Sequence, residues 1–66
     1  MSRYQVITIS EDEGMDEKPE YPTMKAARAS AKAYISSGAD GACIWDHTLK
    51  CVCAVIGTFP ANQVHI

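Results

Sequence analysis

The first run of apolar positions is short and alternates. From Tyr4 to Ser10 the chain reads YQVITIS. Ile7 and Ile9 fall to one side and Val6 and Thr8 to the other, and β-branched residues dominate, which predicts a strand over 4–10. Between 11 and 22 (EDEGMDEKPEYP) the apolar period stops. Carboxylates, one glycine and two prolines there predict a solvated loop. Helical spacing follows at once. Thr23 suits an N-cap, the stretch to Ser37 is rich in alanine and other strong helix formers, and Gly38 suits the left-handed position after a helix, so a helix is predicted over 23–37. A turn of about 100° per residue puts Met24, Ala27, Ala31, Tyr34 and Ile35 on one stripe and Lys25, Arg28 and Lys32 along its flank.

Two further β-rich runs, ACIWD and KCVCAVIG, flank the short connection HTL. They predict a hairpin with strands over 42–46 and 50–56. A three-residue loop pairs Asp46 with Lys50. Cys43, Trp45, Cys51, Cys53 and Val55 then share one face, and Ile44, Val52, Ala54 and Ile56 the other. Because parallel neighbours need a crossover, the last strand is expected to return antiparallel to the first and to lie between its partners. The expected fold is a single small α+β domain, β-α-β-β, whose three-stranded antiparallel sheet has the order 1-3-2 and one helix on one face. The other face of the central strand is apolar as well, so an open hydrophobic patch is expected there unless the tail over 57–66 covers it. That tail either adds an edge strand at Gln63 to Ile66 or frays.

At 66 residues the chain affords one domain and a small core, the kind that often leans on a disulfide, a metal or a partner. Three cysteines, no signal peptide and no transmembrane run point to a soluble, cytoplasmic protein with reduced thiols. Cys43, His47, Cys51 and Cys53 have the donor types of a zinc site. Their spacing does not fit one, since Cys51 and Cys53 on a strand stand about 6.7 Å apart and lack the tight turn that zinc ligands usually share. Cysteine as a small hydrophobe is the better account. No metal and no cofactor is expected. Neither histidine lies in a recognisable nucleophile motif, the acidic run misses the calcium-loop spacing, and the chain reads as a non-enzyme.

Charge changes this picture most. The formal net charge is −2, but residues 11 to 20 hold six of the eight carboxylates and a single lysine, while the rest of the chain carries a basic excess. Glu11, Asp12, Glu13, Asp16, Glu17 and Glu20 are therefore the candidate binding residues. Alternate carboxylates in an extended segment stand about 6.7 Å apart, a spacing of the same order as successive phosphates on one strand. Such a surface attracts the lysines and arginines of a nucleic-acid groove and speeds encounter with it. A solvated, solubilising loop is the plain alternative. The acidic balance argues against direct nucleic-acid binding, although Lys25, Arg28 and Lys32 could bind it weakly, and nothing suggests a membrane partner.

A short acidic chain of this plan, with SEDEGMDEKPE as its most telling stretch, resembles the small inhibitor proteins made by bacteriophages, in particular anti-CRISPR proteins acting on type I systems. The resemblance covers the whole chain in size and plan and rests on no specific motif. It implies a non-enzymatic inhibitor in the host cytoplasm that mimics DNA and occludes a basic nucleic-acid groove, such as that of a CRISPR effector subunit. Glu11, Asp12, Glu13, Asp16, Glu17 and Glu20 would stand in for phosphates. Beside that resemblance, Trp45 or another exposed aromatic is the expected apolar anchor of the docking surface. The alternative expectation is a small homodimeric structural or adaptor domain that associates through the open sheet face. Monomer and weak homodimer are both compatible with the sequence.

Overall fold

The computed structural model describes residues 2–59. It contains strand β1 (Tyr4–Ser10), strand β2 (Gly14–Tyr21), helix α1 (Met24–Ser36), strand β3 (Gly41–Asp46) and strand β4 (Cys51–Gly57). The strands form one four-stranded sheet of order β2-β1-β3-β4, with every neighbouring pair antiparallel. The three-stranded sheet of order 1-3-2 is thus overturned, and so is the acidic loop over 11–22, most of which is β2. The expected edge strand at Gln63 to Ile66 lies outside the described residues.

The changed strand order follows from β2 through the direction of the chain. A β1–helix–strand path makes the strand after the helix parallel to β1 and sends the next strand back into the centre. With β2 inserted, the chain has already reversed when it enters α1. The strand leaving the helix is then antiparallel to β1 and pairs with it directly, from Tyr4 opposite Asp46 to Ile9 opposite Gly41. β3 becomes the inner strand and β4 the edge.

β2 forms despite its charges because an edge strand needs only one hydrogen-bonded side and little apolar surface. Ser10 and Gly14 close the β1–β2 hairpin around Glu11, Asp12 and Glu13. The Ser10 hydroxyl accepts the Glu13 amide at 3.2 Å, and Gly14 takes the left-handed conformation (φ 71°) that a three-residue hairpin favours. Pro19 lies in an irregularity, where Ile7 faces Glu17 and Gln5 faces Glu20 with one extra residue on the β2 side. A proline lacks an N–H, and a bulged edge is the place in a sheet that tolerates this.

α1 begins where Thr23 accepts the Ala26 amide at 3.2 Å and ends at Ser36, with Ser37 as its C-cap and Gly38 (φ 122°) turning the chain away. Its alanines set how closely it approaches the sheet. Ala27 and Ala31 are fully buried with Val6, Ala42 and Ile44, and Tyr4, Tyr21, Met24, Tyr34, Ile35, Ala54 and Ile56 close around them. The side chains of Tyr21 and Ser30 share a hydrogen bond of 2.7 Å, which fastens the acidic strand to the helix.

The second sheet face carries its own cluster, Ile7, Cys43 and Trp45, packed by Val52 and Phe59. The central patch expected to stand open is therefore occupied: Ile7 is 3% and Trp45 8% exposed. Phe59 reaches this face because the chain turns sharply after β4. Gly57 is left-handed (φ 71°), the Thr58 amide donates to the Asp40 carbonyl at 3.3 Å, and the Thr58 backbone crosses so close over Gly41 that a Cβ there would run into the Thr58 carbonyl.

The β3–β4 hairpin also differs from expectation. Its loop is His47 to Lys50, so Asp46 faces Cys51 rather than Lys50, and Trp45 faces Val52. A further irregularity between Ile44 and Trp45 leaves Cys53 as the extra residue and returns Ala54 to Ile44 and Val55 to Cys43. Val52 thus joins the Trp45 face, and Cys51 and Cys53 leave it. The loop length follows from Asp46, whose carboxylate accepts the Thr48 and Leu49 amides at 2.9 and 3.2 Å, and from Lys50, which adopts φ 55°.

A candidate interaction surface on the acidic hairpin

The hairpin of β1 and β2 arranges the six candidate carboxylates in three groups. Glu11, Asp12 and Glu13 form the exposed tip. Glu17 and Glu20, three apart in sequence, both lie on the second sheet face, opposite Ile7 and Gln5, because the bulge between them absorbs one residue. Asp16, opposite Thr8, lies on the helix side. A free extended loop has no means of holding such a grouping, whereas the backbone pairing with β1 fixes it.

Internal neutralisation is slight. Asp16 pairs with Lys18 at 2.6 Å, and that carboxylate is the main reason the Lys18 ammonium titrates above its ordinary value. Lys18 also lies 5.0 Å from the centre of the Tyr34 ring. Glu20 comes within 3.9 Å of His47 Nε2, whose closer partner is Gln5 Oε1 at 2.8 Å. Glu11, Asp12, Glu13 and Glu17 form no ion pair among the described residues, and none of the six carboxylates pairs with Lys25, Arg28 or Lys32. All three of those cations are exposed on the helix. The molecule therefore presents an anionic hairpin at one sheet edge and cations on the helix, separate from each other.

Trp45 does not join this surface. It is buried in the second-face cluster, so the tryptophan expected to project as an anchor packs the core instead. Among the described residues, the large apolar side chains exposed are Met15, Leu49 and Val55. Met15 belongs to β2 and stands opposite Ile9, on the same face as Glu17 and Glu20. Periodicity could have found it, but only had the acidic stretch been read as a strand.

Between the hairpin tip and the end of α1 lies an open cleft of about 290 Å³ whose lining includes Ser10, Asp12, Glu13, Lys18, Tyr34 and Ser37. It is polar, and Lys18 lines it. The thiols lie elsewhere. Cys43 is fully buried in the second-face cluster, and burial pushes its pKa up to about 11. Burial likewise raises Cys53, whose thiol donates to the Ile44 carbonyl at 3.4 Å. Both shifts run opposite to that of an activated nucleophile. Cys51 and Cys53 are exposed on β4 while Cys43 is sealed inside, so the three thiols and His47 do not converge; among the described residues no cluster of metal-binding side chains occurs.

Among the described residues the one carboxylate that is deeply engaged is Asp46, outside the acidic stretch. It is 2% exposed and receives Arg3 through Nε at 3.0 Å and a terminal nitrogen at 2.9 Å. These bonds, with the two loop amides, lower its pKa to about 2. This is a structural clasp between the start of β1 and the β3–β4 turn, a role that composition did not reveal.

The fold and this surface define a small α+β domain, one helix on a four-stranded antiparallel sheet with a charged edge. No family model, curated protein or solved structure matches the chain. Among the described residues no helix is long and apolar enough to cross a membrane.

Proposed function

We propose that this protein is a non-enzymatic binding protein that docks its acidic hairpin into a basic, nucleic-acid-binding groove of a larger protein. The observation that carries this reading is the display of Glu11, Asp12, Glu13 and Glu17 on a backbone-paired hairpin, exposed and without ion-pair partners among the described residues. A rigid anionic edge loses little conformational entropy on docking, and its field accelerates encounter with a cationic cleft. Met15, between the tip and Glu17, supplies an exposed apolar contact on the same side, the part that buried Trp45 cannot play. Occlusion of such a groove is inhibition by DNA mimicry. The resemblance of the sequence to anti-CRISPR proteins makes a type I CRISPR effector subunit the first target to try.

The test is a pull-down from a host lysate with the full chain and with the triple variant Glu11→Lys, Asp12→Lys, Glu13→Lys. The wild type should capture a partner at low salt and release it as salt rises, and the variant should capture none. Equal capture by both proteins overturns the reading. A gel shift with plain duplex DNA at physiological salt is expected to show no complex.

A further inference from the structure

The two edges of the sheet are built on opposite rules. β2 carries Asp16, Glu17, Lys18 and Glu20 and a proline, devices that keep an edge from pairing with another chain; both edge strands hold one irregular pairing, so charge and proline are what separate them. β4, reading CVCAVIG, has no charged residue and no proline over seven residues. Its outer side pairs with nothing among the described residues. Val55, on the second face, is 47% exposed, and Ala54 and Ile56 are only half-buried on the helix side. An edge of this composition is a template for another strand.

We propose that β4 is a self-association edge, at which two copies of this chain pair β4 to β4′ antiparallel around a two-fold axis and form a continuous eight-stranded sheet. Charge selects the second copy as the occupant. Two-fold pairing sets each copy of a strand against the other, and like charges placed opposite one another are destabilising; β4 has none. The same geometry puts the acidic hairpins at the two outer ends, seven strand spacings or roughly 34 Å apart, several times the Debye length of about 8 Å at physiological salt. Head-to-tail pairing of β4 with β2′, which would grow into a filament, is blocked by the charges and Pro19 of β2. The assembly therefore closes at two copies. Val55 and Ile56 gain cover from their mates on the two faces.

The test is sedimentation of the full chain over a wide concentration range, with reductant present so that Cys51 and Cys53 cannot cross-link copies. The mass should double as concentration rises. Val55→Lys should raise the dissociation constant about tenfold or more while the circular dichroism spectrum is kept, and Lys25→Glu, a charge change on the helix, should leave the dissociation constant as it is. Hydrogen exchange on the wild type gives a readout that needs no variant, because the β4 amides should become more protected with concentration. A chain that stays monomeric throughout, a dimer that survives Val55→Lys, or β4 protection independent of concentration overturns the proposal.

Discussion

The β1–β2 and β3–β4 hairpins share a plan and use their side chains differently. Each has a left-handed residue at its turn, Gly14 in one and Lys50 in the other, and each contains one irregular pairing. In the first hairpin the outer strand spends its side chains on charge and is fastened to the domain by backbone pairing and the Tyr21–Ser30 hydrogen bond. In the second, the inner strand β3 is buried at every position and the outer strand is apolar without a charge. Strand formation at a sheet edge is thus decided by the neighbour it pairs with, which leaves side chains free for display in one hairpin and for packing in the other.

The division can be broken from the packed side first. Ile44→Ala removes a fully buried side chain from the strand between β1 and β4, and denaturant unfolding should show a loss of about 2–5 kcal/mol. A loss below about 1 kcal/mol would mean that β3 is not the common spine. Gly41→Ala forces the Thr58 backbone away from the sheet. It should cost about 1–3 kcal/mol, as overpacking does, and shift Trp45 fluorescence to the red as Phe59 lifts from the second face.

The clasp between the start of β1 and the β3–β4 turn sharpens the comparison through pH. The Arg3 guanidinium and the two loop amides hold the Asp46 carboxyl down at about 2, below the ordinary carboxylate range. A carboxyl held lower when folded contributes stability that is complete above the unfolded value and is lost as pH falls through the folded one. Stability should therefore decline between about pH 4 and pH 2, and Asp46→Asn should flatten that part of an acid-unfolding profile. Thr23→Ala removes the helix N-cap and should cost about 1 kcal/mol in thermal unfolding. The smallest effect belongs to the acidic tip, where reversing Glu11, Asp12 and Glu13 to lysine should change stability by less than about 0.5 kcal/mol per site. A large loss there would erase the distinction between display and packing.

Local chemistry alone made part of this fold legible. β1 with its two faces, α1 with its N-cap and alanine stripe, and the existence of a hairpin after the helix all follow from periodicity and end signals confined to the segments themselves. β2 left one usable sign, the glycine after SEDE, whose left-handed conformation closes a hairpin onto β1. Its charges and prolines outweighed that sign because they describe a strand only when an edge position is already known. The buried Trp45 and the Arg3–Asp46 clasp were equally hidden. Phe59 lies 14 positions from Trp45, and Arg3 lies 43 from Asp46, so nothing local links either pair.

The sequence by itself determined β1, α1, the presence of a hairpin after the helix and where the negative charge lies, because caps, propensities and formal charge are properties of neighbouring residues. Only the tertiary structure decided strand order, hairpin register and which carboxylates face outward. Those depend on chain direction and on backbone partners brought together from distant positions, and one additional reversal of the chain changes all of them at once.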